Sequence, residues 1–351
     1  DSFSYAAISS ICLVAFALFR LYSSKFRSSL ILAFSYIFLF SLVMLFYRES
    51  IRLLPTIHTP LIEELRGIFT FETSDYYIFF RHHADLIFIG LLLFCLSSIF
   101  YTRNSESKYL ELIKRLSFTK DYDSQKAGVG LLAVILKGFF CPLMLTWTVT
   151  HGHEMYANLS RGNYFSREMI LQALLMLDVA IFSLGYVFES DKLNNKIISV
   201  EPTIFGWIVC LACYPPFNHY SFRIFDIPLN TAIPVATGLV KESLEWVCLV
   251  LWSIYVWATV ALGWKGSNLT FRGMVTSGPY KYVRHPAYIS KVSVWVISSA
   301  FLNREQSFGL VCVLVLTYSL RALTEERHLL KVTDYKSYRD KVRFWFIPKV
   351  F

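Results

Sequence analysis

Long apolar runs, most of about 16–22 residues, recur along this chain with charged loops between them. Inside lipid only helices and closed barrels satisfy their own backbone groups, and a helix needs about 20 predominantly apolar residues to cross. The runs fall at 3–21, 28–47, 85–101, 129–149, 168–188, 203–214, 244–262, 292–302 and 308–323. Three are short. The run 203–214 ends at Pro215-Pro216, which stops a helix, so it is expected to begin earlier or to re-enter the membrane. The runs 292–302 and 308–323 are joined only by 303–307 and read as a tight helical hairpin. The expected fold is all-α: a polytopic integral membrane protein of about nine transmembrane helices. The first run starts close to Asp1 with no small-residue cleavage site behind it, so it reads as a retained helix.

Composition agrees. Of 351 residues, 55% are hydrophobic, above the roughly 45–50% of an ordinary soluble domain. The formal net charge of +9 does not argue for nucleic acid. The basic residues sit in loops beside the spans, where they set topology and meet anionic headgroups. Arg20, Lys25 and Arg27 fill the first connection. The third holds Arg103, Lys108, Lys114, Arg115, Lys120 and Lys126, the fifth Lys192 and Lys196, and the seventh Lys265, Arg272, Lys281 and Arg284. The positive-inside rule then puts the odd connections and the C-terminal tail in the cytoplasm and the N-terminus outside. The polar stretch 189–196 divides the chain into a unit at 1–190 and a second at 200–351. Residues 106–116 read as a short amphipathic helix, either on the membrane surface or as a solvated linker.

The chemistry concentrates late in the chain. Gly278-Pro279 punctuates it, and Tyr280, Tyr282, Arg284, His285, Pro286 and Tyr288 follow. Such a group offers hydrogen-bond donors, a guanidinium fork for a carboxylate, and π faces that attract a cation. Beyond the last span come Arg321, Glu325, Glu326, Arg327 and His328. Arg321 and Glu325 stand four residues apart and are expected to pair on one helix face. A tail with Tyr335, Tyr338 and Arg343 alternates aromatic and basic groups and is expected to fold back as a lid.

These residues carry a resemblance. The elements are Asn268-Leu269, the run 275–288 ending in Arg284-His285-Pro286-Ala287-Tyr288, a helical hairpin, Glu325-Glu326, and Tyr335 with Tyr338 before Val342 and Pro348. In order and spacing the C-terminal third resembles the isoprenylcysteine carboxyl methyltransferase family and its integral-membrane phospholipid methyltransferase relatives. The family usually carries Gly where Ser290 stands. The resemblance covers roughly 200–351 and implies S-adenosyl-L-methionine bound on the cytoplasmic side, with a lipophilic acceptor arriving from the bilayer. It assigns Gly278, Tyr280, Tyr282, His285, Pro286, Tyr288, Glu325, Glu326 and Tyr338 to the cofactor. It makes Arg284, His285, Glu326 and Arg343 the catalytic candidates. An ionised carboxylate or thiolate acceptor needs no general base; an amine acceptor would use His285 or Glu326.

Signals elsewhere are weaker. Lys137 and Asp178 fall inside predicted spans, where charges are costly, and are expected to meet. His82, His83 and Asp85, with His151, His153 and Glu154, match no standard metal-ligand spacing and read as interfacial loops, so no metal is expected. Cys210-x-x-Cys213, in an apolar helix without a second pair, reads as helix packing. Residues 1–190 are left as a surface for a protein partner or a second copy. Two rival functions stand beside the methyltransferase. One is an NADPH-dependent sterol-type reductase, against which Ala287 and Lys291 stand where such enzymes carry Asn and an acid. The other is a non-enzymatic transport or assembly subunit built on Lys137 and Asp178.

Overall fold

The structure is a computed structural model. It describes residues 108–116, 118, 121–187, 189, 193–214, 217–218, 236–299, 307–332 and 335–347. The spans expected before residue 108, with His82, His83 and Asp85, lie outside the described residues. The described chain is mostly helical: α1 Lys108–Leu116, α2 Ser124–Ser160, α3 Arg167–Val187, α4 Ile204–Leu211, α5 Gly238–Leu262, α6 Pro286–Ile297, α7 Ser307–Val332 and α8 Tyr335–Lys341. Two short strands, β1 Ser199–Val200 and β2 Thr270–Phe271, pair antiparallel with Ser199 opposite Phe271 and Val200 opposite Thr270. The chain forms two compact units that divide between Gly138 and Phe139, within α2.

Among the described residues, three stretches are long and apolar enough to cross a membrane: Ser124–Cys141, Arg167–Tyr186 and Gly238–Lys265. They match three of the expected spans. Their surfaces show why. Along α5, Trp246, Val247, Val250, Trp257 and Val260 are exposed, while Cys248, Leu249, Val256, Ala258 and Thr259 are buried. A helix apolar on both faces suits lipid on one side and protein on the other.

In the second unit α5 is central. It packs against α3 on one side and α6 on the other; α7 in turn packs on α6, α4 and α8. The expected helix at 203–214 is shorter, because Thr203 caps it at the front with its side chain accepting from Gly206 N–H, and Ala212 ends it. The expected helix at 292–302 starts earlier, at Pro286, since proline at the first helical position is already set at the right φ.

Two buried charges have partners of their own. Asp178 accepts hydrogen bonds from Tyr255 (2.9 Å) and Thr259 (2.5 Å), which ties α3 to α5. In the first unit, Lys137 lies over the Tyr109 ring, 5.4 Å from its centroid. On α2 and α3, His151 Nδ1 sits 2.7 Å from Gln172 Oε1.

Candidate functional site

The site begins at a turn that glycine makes possible. Gly278 has φ +60°, and a Cβ there would stand 2.9 Å from the Ala261 side chain on α5. The turn is therefore pressed onto α5, and a single 3-10 turn, Gly278–Lys281, follows. Tyr282 and Val283 N–H close the turn on Pro279 O, and the next two donors point at the C-terminal tail. Arg284 N–H donates to Phe344 O (3.0 Å) and His285 N–H to Trp345 O (2.9 Å). The tail folds back, as expected, but onto the motif itself, as a strap.

One carboxylate oxygen organises the centre. Glu326 Oε1, on α7, accepts from Arg284 Nε (2.6 Å), from His285 Nε2 (3.2 Å) and from Tyr335 OH (3.0 Å). Since a carboxylate only accepts, Nε2 is the protonated nitrogen of His285. Arg284 and Glu326 are almost fully buried. Burial works against the Glu326 charge, yet the hydrogen bonds from His285 and Arg284 outweigh it and hold the carboxyl below its ordinary range. Arg284 Nη1 also donates to the carbonyls of Val342 and Arg343, both at 2.8 Å. None of these bonds uses Glu326 Oε2.

Beside this knot lies a small polar cavity of about 40 Å³, with Glu201, Asn268, Tyr288, Arg321, Glu325 and His328 among its walls. Tyr288 donates to Glu325 Oε2 at 2.5 Å. Arg321 donates to Tyr214 OH (3.3 Å) and to Asn268 Oδ1. Its guanidinium also lies over the rings of Tyr214, Tyr288 and Tyr318, at 5.3, 5.1 and 5.9 Å. Asn268 is itself fixed, because Tyr186 OH accepts from both its backbone and its side-chain nitrogen, at 2.7 and 3.0 Å. The wall thus offers two carboxylates, a guanidinium and the Tyr288 ring together. That set suits a zwitterion carrying an additional positive centre.

Most of the expected site residues converge, with different parts to play. Arg284, His285, Glu326 and Tyr335 form one network. Tyr288 and Glu325 form the cavity edge. Tyr338 OH donates to Tyr280 O at 2.7 Å, and burial lifts its phenol to about 12. Pro286 is buried and starts α6. Gly278 serves the turn. Tyr282 is exposed and forms no part of the cavity walls. Arg343 contributes its carbonyl to Arg284, while its side chain is exposed. Arg321 does not pair with Glu325, as their spacing suggested: Arg321 is buried and turned to Asn268 and Tyr214, whereas Glu325 is exposed and taken by Tyr288. Ser290, where the resembling family usually has Gly, is buried and donates to Pro286 O at 2.9 Å, so its hydroxyl is absorbed within α6.

Sequence reasoning missed the other wall. Glu201 sits where β1 runs beside the 267–271 loop, with its N–H on Leu269 O at 2.8 Å. Its carboxylate takes Thr203 N–H (3.1 Å), the Thr203 hydroxyl and Arg327 Nη2 (3.2 Å). His328 Nδ1 stands 3.9 Å from Glu201 Oε2, and its Nε2 lies 2.9 Å from Ser199 Oγ. Burial pulls the His328 imidazole below its ordinary 6.5, with Glu201 opposing. Glu201 precedes every motif and has no periodic signal. One trace was readable: a Cβ at Gly206 would meet Glu201 Cγ at 2.5 Å, so the glycine two residues into α4 marks a close approach.

A search of curated proteins finds no match to the chain. Between the last turns of α5 and the end of α7, through the turn, the motif and the Glu325-Glu326 pair, residues 257–331 match the model of the isoprenylcysteine carboxyl methyltransferase family.

Proposed function

We propose that the chain is an integral-membrane methyltransferase that moves a methyl group from S-adenosyl-L-methionine to a lipid or lipid-linked acceptor. One observation carries the reading. The stretch that matches a membrane methyltransferase family also gathers Arg284, His285 and Glu326 into one buried knot beside a cavity edged by Tyr288, Glu325 and Arg321.

The residues suit the cofactor. Glu325 suits its ammonium, Arg321 suits its carboxylate, and the Tyr288 ring suits a sulfonium. When bound, the cofactor supplies an electrophilic methyl carbon. The chain's part is to hold the nucleophile in line and keep water out. The cavity is far smaller than the roughly 300–1,000 Å³ of ordinary small-molecule sites. Binding therefore requires the walls of this cavity to part. The basic loops support a cytoplasmic face for the site, with about nine spans in the whole chain. The exposed apolar flank of α5 supports an acceptor that arrives laterally, and the region 1–190 is offered to a partner or a second copy.

The test is transfer itself. Purified full-length protein is incubated with methyl-labelled S-adenosylmethionine and a total lipid extract, and the organic phase is counted. Label in lipid supports the reading, and its release by mild alkali marks an ester rather than a methylated amine or thiol. No transfer, together with NADPH oxidation by a sterol fraction, overturns it.

A further inference from the structure

Among the described residues, Arg272 is a buried cation only half accounted for. It follows β2 directly and is only 2% exposed. Its Nη1 donates to the carbonyls of Gly185 (2.6 Å) and Asn195 (3.1 Å), and the guanidinium lies 5.8 Å from the Tyr186 ring centroid. Capping the last turn of α3 with a cation accounts for Nη1. It does not account for Nε and Nη2, which are buried without a hydrogen-bond partner. Those two nitrogens form the side-on edge of the guanidinium, whose parallel N–H groups match two oxygens of a carboxylate or phosphate. No carboxylate pairs with Arg272 among the described residues.

The surroundings point the same way. Gly273, at φ +109°, lies against a second cation, since a Cβ there would stand 3.1 Å from Lys265 Nζ. The membrane stretches Arg167–Tyr186 and Gly238–Lys265 end together at this place. A Cβ on Gly185 would lie 3.2 Å from the carbonyls of both Trp264 and Gly266. Arg272 is therefore held where two apolar stretches, each long enough to cross a membrane, come to an end.

We propose that the Nε–Nη2 edge of Arg272 binds a phosphate oxyanion, separately from the Arg284–Glu326 site. A lipid phosphodiester and free inorganic phosphate share the required chemistry. Nothing in the proposal depends on the methyltransferase reading.

The full-length chain in detergent is delipidated exhaustively, and native mass spectrometry counts the phospholipid retained. Its melting midpoint is then followed on titration with inorganic phosphate, against chloride at matched ionic strength. One phospholipid retained per chain, and lost in Arg272→Lys, identifies the headgroup as ligand. No retained lipid, with a phosphate-specific rise in midpoint that needs about tenfold or more phosphate in Arg272→Lys, identifies the free anion. Lysine keeps the charge and removes the fork. Neither effect in the wild type, or equal effects in both proteins, overturns the proposal. Should Arg272→Lys fail to fold, an experimental map of the wild type in lipid nanodiscs decides. Tetrahedral density bridging Nε and Nη2 supports the site, and water alone on that edge refutes it.

Discussion

Glu326 shows how much a single atom can organise. Three donors from two distant segments, Arg284, His285 and Tyr335, meet on its Oε1. Such a pair is expensive to break from one side, because the remaining charge stays buried. Glu326→Gln and Arg284→Met are each expected to lose about 3–5 kcal/mol of stability, read as a fall in denaturant midpoint. The pH dependence follows from two groups whose folded values are depressed. His328 binds protons less readily when folded, so its contribution is complete above its ordinary 6.5 and is lost as pH falls toward the lowered folded value. The Glu326 contribution is complete above its ordinary 4.5 and is lost further down, as pH falls through its depressed folded value. Thermal melts from pH 8 to 3 should therefore weaken in two stages, and His328→Phe should erase the upper one. At this scale the sequence was half legible. Arg284, His285, Glu326 and Tyr288 stood out by type and order. The partner of Arg321 did not, because helical spacing put Glu325 in reach while burial turned the guanidinium toward Asn268.

Elements explain why the residues meet. The α6 and α7 hairpin places Tyr288 and Glu325 on facing helices, and the 3-10 turn presses the motif onto α5. Gly278 is the pivot of that arrangement. Gly278→Ala combines a left-handed backbone, about 1–2 kcal/mol, with crowding against Ala261, about 1–3 kcal/mol. A fall in melting midpoint with loss of Tyr288-dependent ligand binding is expected; a midpoint equal to wild type would show the turn to be tolerant. Helix existence at 168–188 and 244–262 was readable from apolar length alone, since lipid demands length. The ends were less so. Pro286 marked the true start of α6, but the apolar count began only at Val292. The β1–β2 pair was invisible, because two-residue strands leave no periodic trace and their pairing joins segments some seventy residues apart.

At the scale of the molecule, three stretches among the described residues fit a membrane and one C-terminal stretch matches a methyltransferase family. Both were written in the sequence, the first as hydropathy and the second as ordered motifs. Arg272 was written there too, but only as one more basic loop residue; its buried, half-used fork needed coordinates to be seen. The central claim is that the Arg284–Glu326 knot and the Tyr288–Glu325 edge serve S-adenosylmethionine. Calorimetry on the detergent-purified full-length chain with S-adenosylhomocysteine and with NADPH tests it most directly. The account predicts one saturable site for S-adenosylhomocysteine, weakened about tenfold by Tyr288→Phe, and none for NADPH. Saturable binding of NADPH with none of S-adenosylhomocysteine would contradict it.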